Sequence, residues 1–167
     1  TLARAEPSGQ YVLGHEIVDL RVVAEGIAND LVHRAMELGV DLGFELESAL
    51  ISGDPFMLSE ALSNVVLNAI EYVNEGGRVT VRSGVAGASA FIDVDDNGPG
   101  IPIAERERVL ERFYRIPNTP GVGSGLGLSI VKEIVQLHSG TLAVLDGERG
   151  RGCRVRMAFP AIEATRS

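Results

Sequence analysis

The sequence has one cysteine, no tryptophan and few aromatic residues, and each scarcity excludes a class of protein. The single thiol, Cys153, rules out an internal disulfide and a cluster of thiolate metal ligands, which is consistent with a reducing compartment. With aromatic residues at 5%, the chain lacks the stacking surfaces on which proteins bind single-stranded nucleic acid. These scarcities leave a globular domain that depends on aliphatic packing.

Basic residues are also in the minority, at 15 against 23 acidic ones, which gives a formal net charge of −8. This balance argues against nucleic acid or an anionic membrane surface as the main partner. An anionic ligand must therefore be held by a local arrangement. The sequence has no run of 18 apolar residues and no signal peptide, so we expect no membrane-spanning segment in it.

A length of 167 residues with 45% hydrophobic residues fits one domain with a sizeable core. Pro7, Gly9 and Gly14 lie among small and charged residues, so we expect 1–17 to be a linker. The domain itself should span 18–160, followed by a tail at 161–167. Because the first residue is Thr1, we expect the chain to belong to a longer protein.

The segment from Phe91 to Ile103 reads as a strand that ends in a polar turn. Strand alternation places one set of side chains on the same face: Ile92, Val94 and Asp96. A carboxylate at the rim of an apolar surface needs hydrogen-bond donors, and the amino group of adenine is one. Next to it, Gly98 and Gly100 leave room for a flat ring near the backbone. The alternative is an Asp-Asn-Gly turn that merely ends a strand.

A helix that begins at Asp54 and Pro55 combines an apolar row with a polar one. Its apolar row is Leu58, Ala61, Leu62, Val65, Val66, Ala69, Ile70 and Val73. Glu60, Asn64, Asn68 and Glu71 lie at spacings of four, four and three, and we name them the polar stripe. Asparagine is unfavourable inside helices, and amide oxygens suit Mg²⁺, so the stripe indicates a ligand site. A solvated helix face is the alternative.

The remaining periodicity predicts a two-layer arrangement of helices and strands. A first helix should begin near Asp19 and end at Gly39, with Val22, Val23, Ile27, Leu31, Ala35 and Leu38 inside. Strands are predicted over 42–46, 78–82 and 91–96, with a final hairpin of 142–145 and 153–159. A short charged helix is predicted over 104–111. We expect the last helix to bury Leu128, Val131, Ile134, Val135 and Leu137, and His138 to cap it, a role that cations favour.

Two segments between 112 and 128 complete the set of motifs. Phe113-Tyr114-Arg115 is either a core anchor or the hinge of a mobile loop from which the arginine reaches a phosphate. Residues 116–123 have no hydrophobic period and indicate a lid. A glycine run over 121–128 opens the last helix, where backbone N–H groups can meet phosphate oxygens.

Taken in order, these four segments resemble the ATP-binding catalytic domain of sensor histidine kinases, in the superfamily of gyrase, Hsp90 and MutL. The resemblance covers about 18–160 and implies an α/β (α+β) two-layer sandwich of the Bergerat type. A mixed, mostly antiparallel sheet would carry the helices on one face. ATP would lie between the sheet, a helix and the lid, with Mg²⁺ as cofactor.

The resemblance implies roles for individual residues. In the asparagine box Asn68 would be the principal Mg²⁺ ligand with Asn64 nearby, and Tyr72 would line the nucleotide pocket. Asp96 would accept from the adenine amino group. The first glycine box supplies Gly98, Gly100 and Ile101, the aromatic box supplies Phe113 and Arg115, and the second glycine box supplies Gly123, Ser124, Gly125, Leu126 and Gly127. Asn64, Asn68 and Arg115 are the implied catalytic residues.

One position departs from the family pattern, because Glu71 stands where a basic residue usually faces phosphate. A carboxylate cannot neutralise phosphate charge. Arg115 or a residue outside this chain must then carry more of that load, and weakened nucleotide affinity is the expected consequence.

The resemblance implies a kinase that moves the γ-phosphate of ATP to a histidine on its own dimerisation and phosphotransfer domain, then to a response regulator receiver domain. His15-Glu16 matches only two residues of the acceptor box, so the nucleophile should lie outside this chain. The parent should be a homodimer in the bacterial inner membrane, and this domain a cytoplasmic monomer. A serine kinase of the anti-sigma-factor type and a nucleotide-binding interaction module are the alternatives.

Overall fold

The computed structural model describes residues 4–5, 11–12, 15–73, 75–99, 103–105, 126–147, 150 and 152–162. Within them lie three α-helices: α1 (Leu20–Leu38), α2 (Pro55–Tyr72) and α3 (Leu126–Leu137). The strands are β1 (Arg4–Ala5), β2 (Tyr11–Val12), β3 (Glu16–Asp19), β4 (Asp41–Leu46), β5 (Leu50–Gly53), β6 (Arg78–Ala86), β7 (Ser89–Asp96), β8 (Thr141–Asp146) and β9 (Cys153–Pro160). A short 3₁₀ helix covers Ile103–Glu105.

Five of the strands form the main sheet, in the order β4-β6-β7-β9-β8. β4 and β6 are parallel, and the other three pairs are antiparallel. The predicted final hairpin is confirmed by the pairing of β8 with β9. β6 and β7 form a second hairpin, in which Gly87, with a φ of 60°, allows the tight turn. The sheet is therefore mixed and mostly antiparallel, which confirms the predicted fold class.

The three helices cover one face of this sheet, and the core lies between the two layers. β6 and β7 point Val79, Val81, Ile92 and Val94 toward the helices, and all four side chains are buried. The helices contribute apolar rows at helical spacing, led by Leu20, Ala24 and Ile27 on α1 and by Leu58, Leu62 and Val65 on α2. No helix in the described part of the chain is long and apolar enough to cross a membrane.

The ends of α1 agree with the prediction, but one of its predicted core residues does not. Asp19 caps the helix by accepting a hydrogen bond from the Arg21 N–H at 3.0 Å, and Gly39 ends it with a φ of 69°. Val22 was expected inside and is 56% exposed. It lies about 200° around the helix from Leu20, on the side away from the sheet.

The other face of the sheet carries a charged network that the sequence pattern did not predict. Asp93 and Asp95 are buried on β7, and arginines of the two neighbouring strands pair with them. Arg156 Nε lies 2.7 Å from Asp93 Oδ1, and Arg154 Nε lies 2.7 Å from Asp95 Oδ1. Arg82 on β6 also donates to Asp95. Because each carboxylate is paired, this face tolerates buried charge.

Strands also occur in the expected linker and in one segment for which the sequence pattern indicated no regular structure. Glu16 and Ile17, placed in the expected linker, begin β3, which pairs with β5 in a separate antiparallel sheet. β1 and β2 pair as well, inside the same expected linker. At the other end, the Ile162 N–H donates to the Leu50 carbonyl at 2.8 Å. β5 was missed because four residues are too few for a recognisable alternation.

The predicted inner face of α3 is wrong at its last turn. Val131, Ile134 and Val135 are buried as expected, but Leu137 is 47% exposed and His138 is buried. The spacing explains this, since 131, 134, 135 and 138 form the i, i+3, i+4, i+7 series of one helix face. Of the charged segment at 104–111, the described part is the end of the 3₁₀ helix.

His138 joins α3 to the first turn of α2. Its predicted role as a C-terminal cap is confirmed, but the ring acts as a neutral base and not as a cation. Its Nδ1 donates to the Ile134 carbonyl at 2.8 Å, and its Nε2 accepts from the Asp54 N–H at 3.0 Å. Burial lowers the pKa of His138, although the Ile134 carbonyl and Asp54 act in the opposite direction. Gly53 makes room for the ring, since a Cβ there would lie 2.4 Å from His138 Cδ2.

We predict that His138→Leu destabilises the fold, because the buried Asp54 N–H loses its acceptor at a cost of about 1–3 kcal/mol. The pKa of His138 lies below its unfolded value of 6.5, so the wild type should lose stability as the pH falls below that value. The variant should lack this part of the pH dependence. Thermal unfolding from pH 4 to 8 measures both effects. Leu137→Ala is the control, and an equal loss in that variant would contradict the assignment.

Candidate functional site

Asp96 ends β7 on the face that carries the helices. It is 8% exposed, and Ile92 and Val94 precede it on the same face, as the alternation predicted. Its Oδ1 accepts from the Gly98 N–H at 2.9 Å, and the Cys153 N–H also donates to the carboxylate. The structure therefore confirms that Asp96 lies at the end of an apolar row. Its predicted role in binding stays a prediction.

Burial raises the pKa of the Asp96 carboxyl to about 6. The N–H groups of Gly98 and Cys153 favour the charged form and moderate the shift, whereas the charge of Asp95 adds to it. In the described part of the chain no cation pairs with Asp96, in contrast to Asp93 and Asp95 on the same strand. The carboxylate is thus an acceptor whose hydrogen-bonding demand is only partly met by backbone N–H groups.

Tyr72 brings the end of α2 to the same place. Burial raises the pKa of its hydroxyl, and the nearby Asp96 and then Cys153 raise it further. Gly98 lies against the end of α2 as well, since a Cβ there would lie 3.3 Å from Val73 Cγ2. The structure therefore brings Tyr72 next to Asp96 and Gly98, although it lies more than 20 positions before them in the sequence.

The turn after β7 is held from two sides. The Asn97 side chain accepts from the Arg78 N–H at 2.7 Å, and the Asn97 N–H donates back to the Arg78 carbonyl at 3.1 Å. On the other side Gly152, the residue before β9, approaches with a φ of 71°, and a Cβ on it would lie 1.9 Å from the Asp96 carbonyl oxygen. Only glycine fits at this position. The turn is thus part of a rigid frame around Asp96.

The polar stripe lies along α2 as predicted. Asn64, Asn68 and Glu71 are each half-buried and share one helix face. Two amide oxygens on one face suit Mg²⁺, which takes one or two protein ligands and completes its shell with water and phosphate. Among the described residues no group of three or more histidine, cysteine, aspartate and glutamate side chains could hold a metal on its own. The donor set fits a cation shared with a phosphate ligand.

Glu71 has a partner on the neighbouring helix. Arg34 Nη2 of α1 lies 3.5 Å from Glu71 Oε2, and Arg34 Nη1 donates to Glu37 Oε1 at 3.1 Å. The side chain of Glu71 is 21% exposed and that of Arg34 is 41% exposed. A cation therefore does reach the polar stripe, from a helix that the sequence motifs did not include.

The remaining predicted site residues are divided between α3 and the undescribed part of the chain. The backbone of Leu126 and Gly127 forms the start of α3, as the glycine run predicted. The other predicted residues lie outside the described residues: Gly100, Ile101, Phe113, Arg115, Gly123, Ser124 and Gly125. Their predicted roles, like the lid over 116–123, stay predictions.

Sequence reasoning missed three contributors to this site. Arg34 gave no signal, because an exposed arginine on an amphipathic helix is ordinary. Cys153 and Gly152 are adjacent in the chain and enter only through the pairing of β7 with β9, where Cys153 faces Asp96. The Gly-Arg-Gly run before β9 was a usable signal, since glycines next to a strand often mark close backbone approach.

Comparison with known proteins gives a consistent result. The family model described as "Histidine kinase-, DNA gyrase B-, and HSP90-like ATPase" matches residues 53–163. The sensor protein kinase PmrB of Pseudomonas aeruginosa is 37% identical over 144 residues, which are 86% of this chain. The chain spans 30% of that relative's length.

Solved structures agree with the sequence comparison. A mycobacterial sensor histidine kinase, MprB, superposes with a TM-score of 0.81 at 32% identity, covering 89% of this chain and 100% of that one. The ATP-binding domain of PrrB from Mycobacterium tuberculosis superposes with a TM-score of 0.72 at 27% identity, covering 89% and 98%. The observed layers and sheet order are therefore those of known kinase domains.

We predict that Asp96 makes the wild type lose stability relative to Asp96→Asn as the pH rises from about 4 to above 6. The folded pKa of about 6 exceeds the unfolded value of 3.8, so the folded state binds the proton more tightly and benefits at low pH. A shift of about two pKa units corresponds to a loss of roughly 3 kcal/mol in the free energy of unfolding across this window. Melting temperatures at several pH values measure the difference. Asp30→Asn, at an exposed position of α1, is the control.

Proposed function

Because the chain belongs to the family of histidine kinase-, DNA gyrase B- and HSP90-like ATPases, we propose that it is the ATP-binding catalytic domain of a two-component sensor histidine kinase. The observation that carries the proposal is the buried Asp96 carboxylate, which meets Tyr72 at the end of α2 and has no paired cation among the described residues. The relatives of the chain, PmrB and MprB, are named sensor kinases, and the ATP-binding domain of PrrB shares the fold.

Asp96 would recognise the purine. The adenine amino group donates to the carboxylate, and this hydrogen bond replaces the water that burial removes. Tyr72 would pack beside the base, and the absence of a side chain at Gly98 leaves room for the ring next to the backbone. Guanine presents a carbonyl oxygen at the corresponding position, so the same carboxylate would repel it.

The polar stripe would hold the phosphate end of the nucleotide. Asn68, with Asn64 one turn before it, would hold Mg²⁺ through amide oxygens. When bound, the ion neutralises phosphate charge and orients the γ-phosphate. Backbone N–H groups at the start of α3 would meet phosphate oxygens, since a helix N-terminus favours anions. By resemblance, Arg115 and the segment 123–127 would complete the site.

These residues position the phosphate and do not attack it. Phosphoryl transfer depends mainly on alignment and charge neutralisation, so a nucleophile from another domain suffices. That nucleophile would be a histidine on the dimerisation domain of the same protein. A response regulator receiver domain would then accept the phosphate. We place the whole protein in the bacterial inner membrane as a homodimer, with this domain on the cytoplasmic side.

Hydrolysis of ATP by the chain alone should be slow. In the ATPases of this superfamily a glutamate activates water four residues before the metal-binding asparagine, and here that position is Asn64. An amide is not a base at neutral pH. Fast steady-state hydrolysis would therefore favour an ATPase.

We predict that the chain, incubated with Mg²⁺ and γ-labelled ATP, transfers the label to a histidine on a separately prepared dimerisation domain of the same protein. Asn68→Ala should slow labelling by at least about 100-fold, because it removes charge neutralisation in the transition state. Asn29→Ala, at an exposed position of α1, should leave the rate unchanged.

The chemistry of the label separates this proposal from its alternatives. A label that is lost in acid and kept in base indicates phosphohistidine and supports the kinase. An acid-stable label indicates phosphoserine and a serine kinase of the anti-sigma-factor type. Binding of ATP without any label indicates an interaction module.

A further inference from the structure

The negative charge of Glu71 lies at an unfavourable position if the polar stripe binds phosphates. Glu71 lies three residues after Asn68 on the same face of α2, about 4.5 Å further along the helix axis. A half-buried carboxylate at that distance would repel the phosphates of a nucleotide held at Asn68. The repulsion must be offset if a triphosphate binds there.

Arg34 is the basic side chain that the described ion pairs bring to the polar stripe. It comes from α1, which packs beside α2, and its guanidinium is bracketed by Glu37 and Glu71 at 3.1 and 3.5 Å. Two carboxylates that hold one guanidinium reduce the conformational freedom it would lose on binding a ligand. The side chain is still 41% exposed, so a ligand can reach its N–H groups.

Arginine has the geometry for this task. The guanidinium carries five N–H donors in a planar fork that matches the oxygens of a phosphate, and it stays charged at any physiological pH. The contact to Glu71 at 3.5 Å exceeds the usual length of a charged hydrogen bond, so the guanidinium keeps N–H groups that can donate to a phosphate oxygen while it stays beside Glu71.

We propose that Arg34 is a phosphate-binding residue, which α1 supplies to the nucleotide site. This inference rests on the proposed function, because it takes the polar stripe to be the phosphate end of the site. It assigns to α1 a direct part in ligand binding.

Arg34 could also act only by neutralising the charge of Glu71, and this role predicts a different result from direct contact with phosphate. If Arg34 only neutralises Glu71, its removal matters only while Glu71 is charged. If Arg34 donates to phosphate, its removal weakens binding even after Glu71 has been made neutral. The double variant Arg34→Ala/Glu71→Gln therefore distinguishes the two roles.

The experiment is calorimetric titration with Mg-ATP and, separately, with adenosine, which has no phosphate. We expect Arg34→Ala to weaken Mg-ATP binding about 10- to 150-fold, the range of a lost charged hydrogen bond, and to leave the affinity for adenosine unchanged. Arg34→Ala should weaken Mg-ATP binding by a similar factor in the Glu71→Gln background. Arg21→Ala is the control, since that residue lies 13 positions earlier on α1, about 20 Å away.

Three results would overturn the inference. The first is an effect of Arg34→Ala that disappears in the Glu71→Gln background, and the second is no effect in either background. The third is an equal loss for adenosine, which would indicate a disturbed fold. A wild-type chain that binds no Mg-ATP would instead overturn the proposed function itself.

Discussion

The proposed function depends on one desolvated carboxylate at the end of a buried strand. β7 carries three aspartates within four residues, and their surroundings differ completely. Asp93 and Asp95 face arginines of β6 and β9, whereas Asp96 points to the helix side and has no paired cation among the described residues. A buried carboxylate without a cation lowers stability and persists where a ligand supplies the missing hydrogen bonds. The rest of the fold holds Asp96 in that position.

Several independent features converge on this aspartate. Gly152 lets β9 pass close to the Asp96 backbone, Asn97 fixes the turn, and Tyr72 closes the side toward α2. His138 acts further away, where it joins α3 to the start of α2 by a neutral ring between two backbone groups. These contacts fix the spacing between the sheet and α2, which carries the asparagines. Tyr72 at the purine end and the asparagines at the phosphate end of the proposed site thus lie on the same helix, α2.

Local patterns predicted those parts of the structure that local physics determines. Helix caps such as Asp19 and Asp54, the hairpins and the burial of Asp96 followed from capping, alternation and turn chemistry. Contacts between distant segments did not. The role of Arg34 requires the packing of α1 on α2, the burial of His138 requires its contact with Asp54, and the arginines opposite Asp93 require the strand order. Short strands such as β5 carry too few residues to show a period.

Purine recognition by Asp96 is the central claim, and the preference of the chain for adenine over guanine nucleotides tests it most directly. The measurement is calorimetric titration with Mg-ATP and Mg-GTP, for the wild type and for Asp96→Asn. The wild type should bind Mg-ATP in preference to Mg-GTP, and the variant should lose that preference, because an amide can donate to the guanine carbonyl. An undiminished preference in the variant, or a wild type that gives no heat with Mg-ATP, would contradict the account.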